Sequence, residues 1–94
     1  MPAGDLGPVR HEATGRFTVL VDGHVAELDY RVEGGAMTLF HTGVPEAIGG
    51  RGIAGELVRV ALDHARAAGM KVVPACSYAK VWIEKHPEYR DLLA

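Results

Sequence analysis

Arg16 to Leu20 and His24 to Val32 carry apolar residues at nearly every second position. In the second run Val25, Ala26, Leu28, Tyr30 and Val32 stand against Glu27, Asp29 and Arg31. A period of two predicts strands with one face toward a core. Asp22-Gly23 between the runs predicts a tight hairpin turn. Gly34-Gly35 predicts the next reversal, and Ala36 to His41, with Met37, Leu39 and Phe40, a third strand. The first half therefore reads as an antiparallel meander.

From Ile53 the pattern changes. Leu57, Val60, Ala61, Ala65 and Ala68 recur at helical spacing, with Glu56, Arg59, Asp63 and Arg66 on the opposite stripe. Those charges alternate in sign three and four residues apart, which supports a helix locally. Gly69 is placed to end it. Lys71 to Ala75 is short, β-branched and follows at once, so it is expected to return parallel to the strand before the helix by a right-handed crossover. Ser77 is expected to cap a second helix with Tyr78, Val81 and Trp82 as its apolar face. His86-Pro87 ends that helix, and Pro87 begins a last turn reaching Leu92. Met1 to Pro8, rich in proline and glycine, reads as a loose leader, and residues 1–15 are assigned to it. The expected class is α+β, one small domain: a meander, one βαβ unit and a C-terminal helix, without repeats or linkers.

Composition narrows the partners. Ninety-four residues make one domain, 48% apolar and 23% charged with a net charge of −2. That is an ordinary globular balance, without the basic excess that binding to nucleic acid needs. The apolar runs are too short to span a bilayer, and the N-terminus lacks a signal-peptide pattern, so no membrane is expected. Cys76 is the only cysteine, which excludes an intrachain disulfide and suits a reducing, cytoplasmic setting. His11, His24, His64 and His86 show no ligand spacing, so no metal is expected.

The chemistry begins between Val44 and Ala54 (Val-Pro-Glu-Ala-Ile-Gly-Gly-Arg-Gly-Ile-Ala). Gly49, Gly50 and Gly52 surround Arg51 where an extended segment enters a helix. Glycine lets backbone N–H groups approach an anion, and the free amides of the first helical turn point at it. This is a phosphate cradle in outline. Pro74 adds a second feature: it cannot donate to a ladder, so it marks either an edge strand or a place where two parallel strands part. Parting strands would open a slot beside the cradle for a linear ligand.

Several motifs coincide in order. His41-Thr42 is followed by Val44-Pro45, then by Gly50-Arg51-Gly52-Ile53-Ala54. Val73-Pro74-Ala75-Cys76-Ser77-Tyr78 follows, and then His86-Pro87-Glu88-Tyr89. Together they resemble the GCN5-related N-acetyltransferases, and within them the minimal single-domain branch, over Phe17 to Leu92. The resemblance implies that Gly49 to Ala54 hold the pyrophosphate of coenzyme A. It also implies that the pantetheine arm pairs like an extra strand between splayed strands, along Thr42, Val44 and Pro74. Ala47 departs from the family pattern, which has Gln or Arg there, leaving Arg51 as the nearby substitute. The helices that usually follow the first strand have no counterpart between Val21 and His24. The acceptor pocket is thus expected to be open, or completed by another molecule.

Three residues are candidates for catalysis. Cys76 is expected between a strand end and a helix start, where the helix dipole lowers a thiol's pKa. His41 is expected at the end of the neighbouring strand, and histidine is the usual base near neutral pH. Paired, they would support an acyl-cysteine intermediate; alone, His41 would serve as base for direct attack by an amine. Both also fit as packing residues. The resemblance favours Cys76, since the small branch has cysteine there. In larger relatives a tyrosine at the place of Tyr78 protonates the leaving thiolate, although Tyr78 also fits the helix face. Lys80, Lys85 and Arg90 are read as solvated, with one of them available to a 3′-phosphate. The expected function is transfer of acetyl from acetyl-CoA to a small-molecule or peptide amine. The alternative is a module that binds coenzyme A, or docks to a partner, with little turnover. Nucleotide binding without coenzyme A fits less well, because the Lys-Ser/Thr ending of a P-loop and the third glycine of a dinucleotide fold are missing.

Overall fold

The computed structural model describes residues 8–94. One five-stranded sheet, in the order β1-β2-β3-β4-β5, carries two helices. The strands are β1 (Arg10–Glu12), β2 (Arg16–Val21), β3 (His24–Glu33), β4 (Ala36–Gly43) and β5 (Lys71–Pro74), and the helices are α1 (Ile53–Ala67) and α2 (Ser77–Glu84). Short 3₁₀ turns occupy Glu46–Ile48 and Pro87–Leu92. β1 to β4 are antiparallel and β4 pairs β5 in parallel, so the α+β meander followed by a βαβ unit is the observed architecture. Asp22 (φ 50°) and Gly23 (φ 79°) form the hairpin turn in the left-handed conformation that matches strand twist.

The leader differs from expectation. Residues 1–7 lie outside the described residues, while residues 10–12 form β1, pairing Arg10, His11 and Glu12 with Thr18, Phe17 and Arg16. Three residues are too few to show a period; the pairing is made by the return at Gly15. Its amide bonds Glu12 O and its carbonyl accepts from Tyr30 N.

The core lies on one face of the sheet. Phe17, Val19, Ala26, Leu28, Met37, Leu39 and Val72 pack against Leu57, Val58, Ala61, Leu62 and Ala65 of α1. Leu20, Val25 and Phe40 point to the other face and stay exposed. Val32, expected inward, is half exposed at the end of β3. The C-cap of α1 is Ala68, one residue before the glycine expected there, and Gly69 follows it with φ 71°. No helix among the described residues is long and apolar enough to cross a membrane.

Two details of α2 correct the sequence reading. Its N-cap is Cys76, not Ser77, because the Cys76 amide donates to Leu39 O at 2.8 Å and keeps that residue extended. Its buried face is Ala79 and Ile83, one turn apart, whereas Tyr78 and Val81 are exposed. Tyr78 and Trp82 instead turn toward the start of α1. A Cβ on Gly55 would come within 3.1 Å of Trp82 Nε1 and 3.3 Å of Tyr78 Oη. Glycine inside a helix is unfavourable by about 1 kcal/mol; here it lets the two helices approach.

Candidate functional site

Gly50 (φ 77°) and Gly52 (φ 74°) both adopt the left-handed conformation on either side of Arg51. Gly52 is the N-cap of α1, and among the described residues no side-chain cap hydrogen bond is made there. The first-turn amides open into a cleft of about 450 Å³. Val44, Gly49, Gly50, Gly52, Ile53 and Ala54 line it, with Tyr78 on the α2 side. Seven of the residues expected to bind cofactor or to act beside it therefore share one concavity. The donors fit a pyrophosphate: backbone N–H groups at a helix start, entered through two glycines that carry no Cβ.

The side-chain charge is less favourable. Arg51 is turned to Asp22 in the β2–β3 turn, Nη1 to Oδ2 at 2.5 Å. Glu46 also lines the cleft. None of Lys80, Lys85 and Arg90 lines it; Lys80 and Arg90 border a separate small cavity of about 140 Å³ with Pro74. Pro74 ends the β4–β5 ladder, paired with Leu39, while β4 runs on to Gly43. β5 is the edge strand of the sheet, and its pairing with β4 also stops at the proline, so both readings of Pro74 apply, with Cys76 N on Leu39 O as the last tie.

A bulge in β4 decides where the catalytic candidates point. Leu39 pairs with Tyr30 and His41 with Asp29, so Phe40 is an extra residue in β4. Side-chain parity reverses beyond it. Thr42, opposite Leu28, now faces the helical side, and its Oγ1 lies 2.8 Å from Cys76 Sγ. His41 faces the uncovered side, where its Nε2 lies 3.2 Å from Glu27 Oε2. The expected Cys76–His41 pair is therefore not formed; each has a different partner on a different face. A one-residue shift of register turns every following side chain over, and nothing in Met37-Thr38-Leu39-Phe40 marks the extra residue.

The Cys76 thiol is held below its ordinary value. Burial acts in the opposite direction, pushing it up, but the hydrogen bond from Thr42 and the amides of Ala79, Tyr78 and Thr42 outweigh it. The Tyr78 and Ala79 amides lie toward the sulfur without closing a cap hydrogen bond. Burial raises Tyr78, so its phenol is the protonated form and a proton donor. Partial burial, rather than a charge, causes that shift.

Three residues have contacts that the chain pattern does not disclose. Glu27 stands in it only as a polar-face position, since its contact with His41 depends on register. Asp22 stands in it only as a turn former. Gly55 did leave a signal, as a glycine inside an otherwise helical pattern. Glu27, Asp29 and His41 also bring ligand-type atoms within 4.8 Å of one another, a group that was not anticipated. Arg16 already meets its charge, 2.6 Å from Asp29 and 3.9 Å from Glu27.

Comparison with known proteins agrees with this geometry. A family model described as GCN5-related N-acetyl-transferase matches residues 16–92. Among solved structures, the chain is similar to a GCN5-like candidate N-acetyltransferase from Staphylococcus aureus, determined in solution by NMR. The two are 30% identical, the match covers 93% of this chain and 87% of that one, and the TM-score is 0.74.

Proposed function

Since the chain belongs to the GCN5-related N-acetyltransferase family, we propose that it binds acetyl-CoA in the glycine cleft and transfers acetyl to an amine. The single observation that carries the reading is the uncapped start of α1 behind two left-handed glycines, opening into a cleft. When bound, acetyl-CoA supplies a thioester carbonyl: the amine nitrogen forms the new C–N bond, the C–S bond breaks, and sulfur leaves as the thiolate. The protein's own groups do the rest. The amides of Ile53 and Ala54 hold phosphate oxygens, Gly50 and Gly52 keep side chains out of their way, and Thr42 and Val44 border the path along β4. Tyr78 can return a proton to a leaving thiolate. His41 takes the proton that the amine loses.

A second reading has its own support. Cys76 is an acidified thiol beside Thr42 at the N-terminus of α2, which suits acetyl transfer through an acyl-cysteine. Intact mass after incubation with acetyl-CoA separates the two routes. An adduct that disappears in Cys76→Ala favours the cysteine route; transfer without an adduct favours direct attack.

The cofactor is tested by thermal shift with acetyl-CoA, coenzyme A and ATP. Stabilisation by both coenzyme A species and not by ATP is expected. Gly52→Trp should remove it by closing the approach to the amides. No stabilisation of the wild-type protein by either coenzyme A species would overturn the proposal.

A further inference from the structure

The contact between Glu27 and His41 is built by three separate features. The Phe40 bulge turns His41 to the uncovered face of the sheet. β3 places Glu27 beside it, with Oε2 3.2 Å from Nε2. Gly43, two residues on from His41, leaves room for the ring: a Cβ there would stand 3.1 Å from Nε2 and 3.5 Å from the Glu27 carboxylate. Arg16 holds the neighbouring Asp29 at 2.6 Å and lies 3.9 Å from Glu27. The other carboxylate of the group is thus occupied, and Glu27 is the one directed at the ring.

We infer that Glu27 is a positioning residue that orients His41 as the base for an acceptor amine approaching from the uncovered face of the sheet; this rests on the acetyl-transfer reading above. An ionised carboxylate only accepts, so His41 Nε2 carries the proton in the pair. The lone pair is then on Nδ1, for which no protein partner is found among the described residues. Fixing the tautomer and the ring plane through the far nitrogen is the way a carboxylate prepares an imidazole to take a proton. The proton lost by the amine goes to Nδ1 as the C–N bond forms and the thioester C–S bond breaks, and it leaves to solvent when the ring discharges. His41 is half exposed (49%) and Glu27 less so (29%), as expected for an outer residue reached by substrate and an inner one that holds it. The cradle and Thr42 lie on the helical side, so cofactor and acceptor are handled from opposite sides of β4.

The first measurement needs no cofactor. In ¹⁵N spectra of the ring, with histidine neutral, wild-type His41 should show protonated Nε2 and bare Nδ1. Glu27→Ala should move both nitrogens toward the mixed values of a free imidazole, and Glu27→Gln, which keeps an accepting oxygen, should not. A ring unchanged by Glu27→Ala would overturn the inference. The second measurement follows acetylation of a lysine peptide. Glu27→Ala should lower kcat roughly tenfold, part of the 10²- to 10⁴-fold that a positioned base contributes, with KM for acetyl-CoA unchanged. In a His41→Ala background the same substitution should have no further effect. Gly43→Ala, which displaces the ring without changing charge, should lower kcat in the same direction. An undiminished effect of Glu27→Ala without His41, or a rise in KM for the peptide alone, would make Glu27 an acceptor-binding or structural group and overturn the assignment. If wild-type protein acetylates no peptide, the acetyl-transfer reading is what fails, and the ring spectra still decide the role of Glu27.

Discussion

The hydroxyl of Thr42 lies 2.8 Å from the sulfur of Cys76, across the gap where β4 and β5 have stopped pairing. The contact exists because Phe40 is bulged out of β4 and turns Thr42 to the helical side. A hydroxyl aimed at a thiol stabilises the thiolate, and the Thr42 bond is the largest of the effects that lower the Cys76 pKa against its burial. Thr42→Val keeps the shape and removes the donor. Alkylation of Cys76 by iodoacetamide near neutral pH should slow about fivefold, the value of one hydrogen bond of about 1 kcal/mol. An unchanged rate would assign the acidity to the α2 amides alone.

Arg51 is the one cation in the glycine turn, and Asp22 holds it at 2.5 Å. An incoming phosphate must compete with that carboxylate. Asp22→Asn keeps a residue that tolerates the left-handed turn, so folding should be little affected. Affinity for coenzyme A should rise roughly two- to fivefold at low salt, in line with the small value of exposed ion pairs, and less at high salt. Pantetheine, which has no phosphate, should bind both proteins equally in calorimetry. Equal gains for pantetheine and coenzyme A would sever Arg51 from phosphate binding.

Gly15 has φ 118°, and a Cβ on it would fall 2.5 Å from the carbonyl oxygen of Tyr30. Backbone on both sides leaves nothing flexible to give way. Gly15→Ala should destabilise the fold by about 2 to 3 kcal/mol in urea unfolding, with the loss concentrated in β1 by hydrogen exchange. Gly50→Ala, with open space around its Cβ, should cost only the left-handed strain of about 1 kcal/mol.

His11 stacks on Phe17 (ring centroids 4.4 Å), meets His64 edge-on at 4.5 Å and contacts the Tyr30 hydroxyl. Burial, and then the charge of His64, lower its pKa. The folded state thus takes up this proton less readily than the unfolded chain. The His11 contribution is present above the unfolded value of about 6.5 and is lost as pH falls through the lower folded value. Stability should decrease on acidification across that window. His11→Phe, which preserves the stack, should flatten the slope measured by urea unfolding at a series of pH values.

Much of the site was legible in the sequence because its parts are local. A glycine on each side of Arg51, a helix start immediately after it and a proline at the end of β5 are features of short stretches that need no partner. Pro74 likewise announced an edge strand or an end of pairing, and β5 shows both. The catalytic pairing was not. Cys76 and His41 both close neighbouring strands, and period-two alternation carried unbroken through Phe40 would place His41 with Met37 and Leu39.

β1 aside, the order of strands and helices, the buried side of the sheet, the glycine turn before α1 and the family could be read from the chain. These depend on periodicity and backbone conformation, which short stretches of chain specify. Long-range packing alone brought Thr42, not His41, to Cys76, set Glu27 beside His41 on the opposite face, and turned Arg51 to Asp22. Each of these is a meeting of residues distant in the chain. One bulged residue, stabilised by pairing on both of its sides and invisible in composition, sets the register that makes the first two.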